Sequence, residues 1–212
     1  MRMRFWTGAL MVLVGVVGWS GELRGQVPWD APMMVPPEAP GGLTVLLADP
    51  GWGLGVVGMW RRSGVGSPLG FRVGVAEDGR DDLSVMGGVD VSGRILSHSR
   101  EFPLDLTWVS GVGIGISDGA LLTVPLGLSL GRVLVSEEVR FQPYLTPRMV
   151  LDARFGDDHC PGPGDCDDLD LGLAVELGMD MALSANWLIR FAAALGDREA
   201  VAVGLAFPLA GS

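Results

Sequence analysis

From residue 43 onward the chain alternates between large apolar residues and very small or polar ones. In 168–182 the odd positions are Leu169, Leu171, Leu173, Val175, Leu177, Met179 and Met181. The even positions between them are Asp170, Gly172, Ala174, Glu176, Gly178 and Asp180. In 102–116 the phase is reversed: Phe102, Leu104, Leu106, Trp108, Ser110, Val112, Ile114 and Ile116 oppose Pro103, Asp105, Thr107, Val109, Gly111, Gly113 and Gly115. A period of two belongs to strands, since successive side chains of a strand point to opposite faces. Weaker versions recur at 69–76, 82–91, 120–131, 139–152, 187–196 and 200–209, and 43–48 and 52–60 add two more apolar segments, which predicts ten strands.

The second face decides what kind of sheet this is. A soluble sheet exposes that face to water and fills it with Lys, Glu and Thr. This chain has no Lys and places Gly, Ala and Ser there, interrupted by single charges. Small residues make a poor solvated surface but leave room for a few long polar side chains inside a narrow closed barrel, whose large apolar face then meets lipid. An Arg on that outer face at mid-bilayer would cost about 2–4 kcal/mol, and none falls on the outward phase. The expectation is an all-β fold, a closed antiparallel up-and-down transmembrane β-barrel of ten strands over 43–209. A secreted soluble sandwich or lipocalin-like barrel is its rival. Pro125, Pro143 and Pro147 fall inside strands and are read as bulges or bends. An eight-stranded barrel that leaves a weak segment outside is the alternative they raise.

The flanks divide simply. Met1-Arg2-Met3-Arg4, an uncharged apolar run over 5–19 and the small residues Ser20, Gly21 and Gly25 have the order of a cleaved secretory signal peptide, assigned to 1–25. Residues 26–42 hold Pro28, Pro32, Pro36, Pro37 and Pro40 and read as an extended N-terminal linker. Residues 210–212 form a tail. Net charge is −10, from 15 basic and 25 acidic residues, which argues against a nucleic-acid partner.

The connections sort into an acidic set, 49–51, 77–82, 117–119, 156–168 and 196–199, and a second set at 61–68, 97–101, 132–138 and 182–186. The acidic set holds the longest loop and is expected outside the cell. Trp60, Phe71, Phe102, Phe141, Trp187 and Phe207 gather at the opposite, periplasmic ends, as an interfacial girdle would. With its signal, Gly-rich alternating strands and Ser117-Asp118-Gly119-type turns, the chain resembles the small bacterial outer-membrane β-barrel proteins with an OmpA-like or OmpW-like membrane domain. The resemblance covers 43–209 and the signal. It implies insertion in the outer-membrane bilayer by the outer-membrane assembly machinery. Barrels of that class usually end on an aromatic residue, whereas here Phe207 is followed by Pro208-Leu209-Ala210-Gly211-Ser212.

Chemistry is sparse. Cys160 and Cys166 flank Pro161-Gly162-Pro163-Gly164-Asp165 and are expected to close a disulfide worth about 2–2.5 kcal/mol. Zinc would need more ligands than these and His159 supply. Counting Asp165 as first in an EF-hand loop puts Asp167 third and Glu176 twelfth, but Leu169 and Asp170 then occupy the fifth and sixth places and exclude it. Weak binding of divalent cations at this acidic loop remains as a partner expectation. Gly53-Leu54-Gly55-Val56-Val57-Gly58 lacks the helix a dinucleotide site needs, and Gly115-Ile116-Ser117-Asp118-Gly119 lacks the strand-to-helix turn of a nucleophile elbow. Ser97-His98-Ser99 is the one Ser–His pairing that could serve a lipid hydrolase.

By phase, Arg72, Asp90, Asp105, Arg140, Tyr144, Arg148, Asp152, Glu176, Asp180 and Arg190 point inward, with Asp82, Asp170, Thr107, Thr123, Ser129 and Gln142. Unpaired charge in a low-dielectric lumen is costly, so Arg–carboxylate pairs are expected to fill it. The resulting expectation is a non-enzymatic, cofactor-free and metal-free outer-membrane barrel with a structural or surface-presenting role. A narrow passive pore for small cations is the alternative, and a lipid-acting enzyme is more remote.

Overall fold

The computed structural model describes residues 27–50, 53–62, 68–77, 83–136, 139–155 and 168–208. The signal segment, Asp82, both cysteines with most of their acidic loop, and the tail lie outside the described residues. No helix among the described residues is long and apolar enough to cross a membrane, which says nothing about a β-barrel.

Eleven strands run in chain order: β1 Gly42–Asp49, β2 Gly55–Arg61, β3 Leu69–Glu77, β4 Leu83–Leu96, β5 Asp105–Ile116, β6 Ala120–Gly131, β7 Leu134–Ser136, β8 Val139–Phe155, β9 Asp168–Ala182, β10 Leu188–Gly196 and β11 Ala200–Pro208. Each long strand pairs antiparallel with its neighbours in sequence, and two further pairings complete the ring. β1 pairs with β11 from Gly42↔Pro208 to Asp49↔Val201, and β6 pairs with β8 from Ala120↔Phe155 to Gly131↔Tyr144. The result is a closed ten-stranded up-and-down barrel, and the eight-stranded alternative falls away. The short β7 pairs only with β8, at Leu134↔Phe141 to Ser136↔Val139, and continues the line of β6 past its end.

The prolines do not produce the bulges expected of them. The β8–β9 register runs unbroken through Pro143↔Met179 and Pro147↔Val175. Near Pro125 the β5–β6 ladder lapses between Ser110↔Leu126 and Gly113↔Thr123 without a change of register. The Ser110 hydroxyl donates to the Pro125 carbonyl at 3.0 Å, so an outward-phase polar group is satisfied where the ladder is interrupted. The one register shift among the described residues lies elsewhere, between Arg94 and Leu96 in β4.

Large residues face out, as the alternation requires. Leu43, Val45 and Leu47 on β1 and Leu169, Leu171, Leu173, Val175 and Leu177 on β9 are all exposed. Among described strand residues on this outward phase the only charges are Asp49 and Glu77, each the last residue of its strand.

The lumen holds a segment of the chain itself. Residues 27–37 are buried throughout and run along the inside of the barrel. Val27 lies against Gly115, near the end where β5 finishes, and Pro37 accepts a hydrogen bond from Thr107 near the end where β5 begins. The first part of the 26–42 stretch is therefore enclosed in the barrel and is not a solvated linker. Nor is it uniformly extended: it turns at Trp29–Asp30 and Pro37–Glu38 and bends at Ala31–Pro32. Val27, Trp29, Met33, Met34 and Val35 form one apolar cluster with inward-facing Leu46, Val57, Met59, Met86 and Val109. Removing water from both partners is what drives that contact.

The small residues on the inner face make room for this segment. A Cβ on Gly88, Gly111 or Gly113 would run into the Trp29 ring, and one on Gly115 into the Val27 carbonyl. Trp29→Ala should therefore lower unfolding free energy in detergent micelles by about 3–5 kcal/mol. Gly113→Val, which evicts the ring, should also destabilise. Urea titration of the double variant is expected to show clear non-additivity, because the valine then fills space the indole has left.

Candidate functional site

The polar side chains of the inner face converge on the threaded segment. Its backbone has no ladder to join, and a buried peptide group without a partner is costly. Four of its eleven residues, Pro28, Pro32, Pro36 and Pro37, have no N–H to satisfy. Glu176 of β9 accepts the Met33 N–H at 2.6 Å and the Met34 N–H at 2.7 Å. Met34 has φ 55°, a left-handed conformation in which consecutive amides can turn toward one acceptor. Arg72 of β3 donates to the carbonyls of Trp29 at 3.0 Å, Pro32 at 2.6 Å and Met33, and its guanidinium stands 5.6 Å from the centre of the Trp29 ring. The Trp29 indole N–H donates to the Thr123 carbonyl at 3.1 Å.

Charge pairing extends this network around the barrel. Arg148 of β8 donates to Glu176 at 2.8 Å and to the Asp30 carbonyl at 3.0 Å, and its Nε lies 3.4 Å from the Asp30 carboxylate. Tyr144 donates its hydroxyl to Glu176 at 3.2 Å. Arg198, in the β10–β11 turn, stands 3.6 Å from Asp30 and bonds to Asp152, which also accepts from Thr123 at 2.7 Å. Arg190 grips Asp180 with two bonds of 2.8 and 2.6 Å. Arg61 bonds to Asp90 and to the Ser92 hydroxyl at 3.1 Å.

Arg72, Asp90, Tyr144, Arg148, Asp152, Glu176, Asp180 and Arg190 are thus buried in the lumen. Arg140 lies on the same face but is exposed at the mouth where β8 begins, without an ion pair to a described residue. Asp105 is buried and holds His98, not an arginine, at 3.0 Å. Asp170 is exposed near the start of β9. Arg61, Arg198 and Asp30 belong to the network although the alternation did not select them. Arg61 ends a strand, Arg198 sits in a turn, and Asp30 lies in the threaded segment.

The six aromatics occupy one end of the barrel. Leu43 pairs across β1 with both Phe207 and Trp60, and Trp60 with Phe71, whose ring centre is 5.6 Å away. Phe141 follows the start of β8, while Phe102 and Trp187 precede β5 and β10. Trp60, Phe71 and Phe207 are exposed, and Phe102, Phe141 and Trp187 are half-buried. Beside this end, His98 receives an orienting carboxylate from Asp105, but the Ser99 hydroxyl is engaged with the Phe102 N–H at 3.1 Å.

No family model and no curated protein matches the chain. A solved structure titled "De novo design of transmembrane beta-barrels" is similar at 16% identity and a TM-score of 0.36, covering 80% of this chain and 97% of that one. The ten-stranded closure is read from the strand pairings of this chain itself.

Glu176→Ala should cost about 3–5 kcal/mol, since Arg148 loses its hydrogen-bonded carboxylate and keeps only Asp30, while the buried Met33 and Met34 N–H groups lose their acceptor. Two double variants separate pairing from segment holding. Arg61→Met with Asp90→Leu should recover most of either single loss, because neither side chain bonds the threaded segment. Arg148→Met with Glu176→Leu should recover little, since the Met33 and Met34 N–H groups stay unsatisfied. Urea midpoints of the singles and doubles would measure both cycles.

Proposed function

We propose that this protein is an integral barrel of the bacterial outer membrane, exported by a cleaved signal, whose lumen is sealed by its own N-terminal segment. The observation that carries the reading is the inverted partition of side chains. Between strand ends the outward face bears no charge, while the buried arginines and carboxylates lie within. In water such an outer surface would be a continuous apolar band far beyond what a soluble monomer exposes. In a bilayer it is the lipid contact, and the aromatic end marks one interface.

A sealed lumen favours a structural or surface-presenting role over conduction. A passive pore needs an open path, and here residues 27–37 fill the space between the mouths with backbone, the Trp29 ring and ion pairs. The role is non-enzymatic, with the bilayer and the assembly machinery as partners. Weak divalent-cation binding at the acidic loop belongs to the same proposal.

The full-length protein is expected to require detergent. A monodisperse species in plain buffer would overturn the membrane reading. In planar bilayers the wild type should be electrically silent. Deleting residues 27–37, or combining Arg72→Ala with Glu176→Ala, should produce discrete conductance steps, whereas steady conductance in the wild type would restore the pore.

A further inference from the structure

Below the sealed stretch, the mouth at the aromatic end opens into a cavity of about 490 Å³, within the size range of small-molecule sites. Glu38, Arg140, Gln142, Asp180, Trp187 and Pro208 are among its lining residues. Asp180, paired with Arg190, is part of its wall, and Glu38 lies just beyond the threaded segment.

Two donors in it are unspent. Gln142 is only 5% exposed, and its amide nitrogen has no hydrogen-bond partner. A buried amide left in that state is costly, and native structures rarely tolerate it without a reason. Two positions earlier on the same face of β8, the Arg140 guanidinium is exposed with no ion pair to a described residue. The Trp187 indole contributes an apolar flank. The acceptors are already engaged: Asp180, the register partner of Gln142 on β9, is held by Arg190, and Glu38 stands 3.5 Å from Arg94.

We propose that this mouth cavity is a binding site for a small carboxylate-bearing solute of amino-acid size. Its carboxylate is taken by Arg140 and by the Gln142 amide N–H. A guanidinium and a neutral donor together suit a single negative charge. Glu38 and Asp180, facing the same space, disfavour a dianion such as phosphate and can receive an ammonium group. The site belongs to the barrel mouth and holds whether or not the outer face contacts lipid, so its test is separate from that of the membrane reading.

The test is calorimetric titration of the full chain in detergent micelles with N-acetylglycine, glycine, glycinamide and inorganic phosphate. Glycine and N-acetylglycine are expected to bind, and glycinamide and phosphate are not. Arg140→Ala and Gln142→Leu should each weaken carboxylate binding by about tenfold or more. Gln142→Leu should leave the urea midpoint at or above the wild-type value, because the amide nitrogen has no bond to lose; a merely structural glutamine would lower it. The proposal is overturned if no carboxylate binds, if glycinamide or phosphate binds as tightly as glycine, or if both variants bind like the wild type.

Discussion

A strand in a closed barrel finds all its backbone partners in its two neighbours, but a chain threaded through the middle finds none. That asymmetry governs the interior of this protein. Residues 27–37 lie where water does not reach, and their peptide groups must be met by side chains from the wall. Proline reduces the demand by removing donors, which gives the high proline content of the segment a physical purpose. The remaining donors and acceptors account for much of the luminal chemistry: Glu176 answers two amides, Arg72 three carbonyls, Arg148 one and Thr107 one. The arginines that look like a charge network from the wall are, from the lumen, a backbone-binding surface.

The same constraint explains why the inner face is so rich in glycine. A barrel wall closes at a diameter set by strand number and stagger, and it cannot shrink to fit its contents. Volume must instead be removed from the wall where the contents are largest. Gly88, Gly111 and Gly113 clear the space for one indole, and Gly178 stands under the Tyr144 ring. Interior packing in proteins leaves few voids, so small wall residues and a bulky threaded segment are two halves of one fit.

Most of the barrel was legible in the sequence because alternation reports directly on which face a residue takes. The phase placed Arg72, Arg148, Glu176 and Arg190 on the inner wall, and all four are there. Residues 27–37 have no period to read, so proline content alone made them a linker. A signal was nonetheless present: Trp29, Met33, Met34 and Val35 in one short stretch are too apolar for a solvated linker. The inner partners at element ends, Arg61 and Arg198, escaped because phase loses meaning where a strand stops. The proline bulges failed for a related reason. A missing N–H costs one rung, and the continuous register on either side outweighs the incentive to shift.

Closure and plugging are coupled by the reach of these contacts. The segment is held by β3 through Arg72, by β6 through the Thr123 carbonyl, by β8 through Arg148 and by β9 through Glu176. Arg198 adds the β10–β11 turn. Its partners are spread around the ring, so no single hairpin can satisfy it. A partly assembled sheet would leave the amides of Met33 and Met34 and the charge of Asp30 without partners or exposed to solvent, while the open edges of β6 and β8 would lack their ladder. Both deficits vanish together only when every seam of the ring is paired, β1 with β11 as well as β6 with β8. The threaded segment thus makes closure more cooperative than wall pairing alone, because the wall gathers its luminal bonds only when the ring is complete around it.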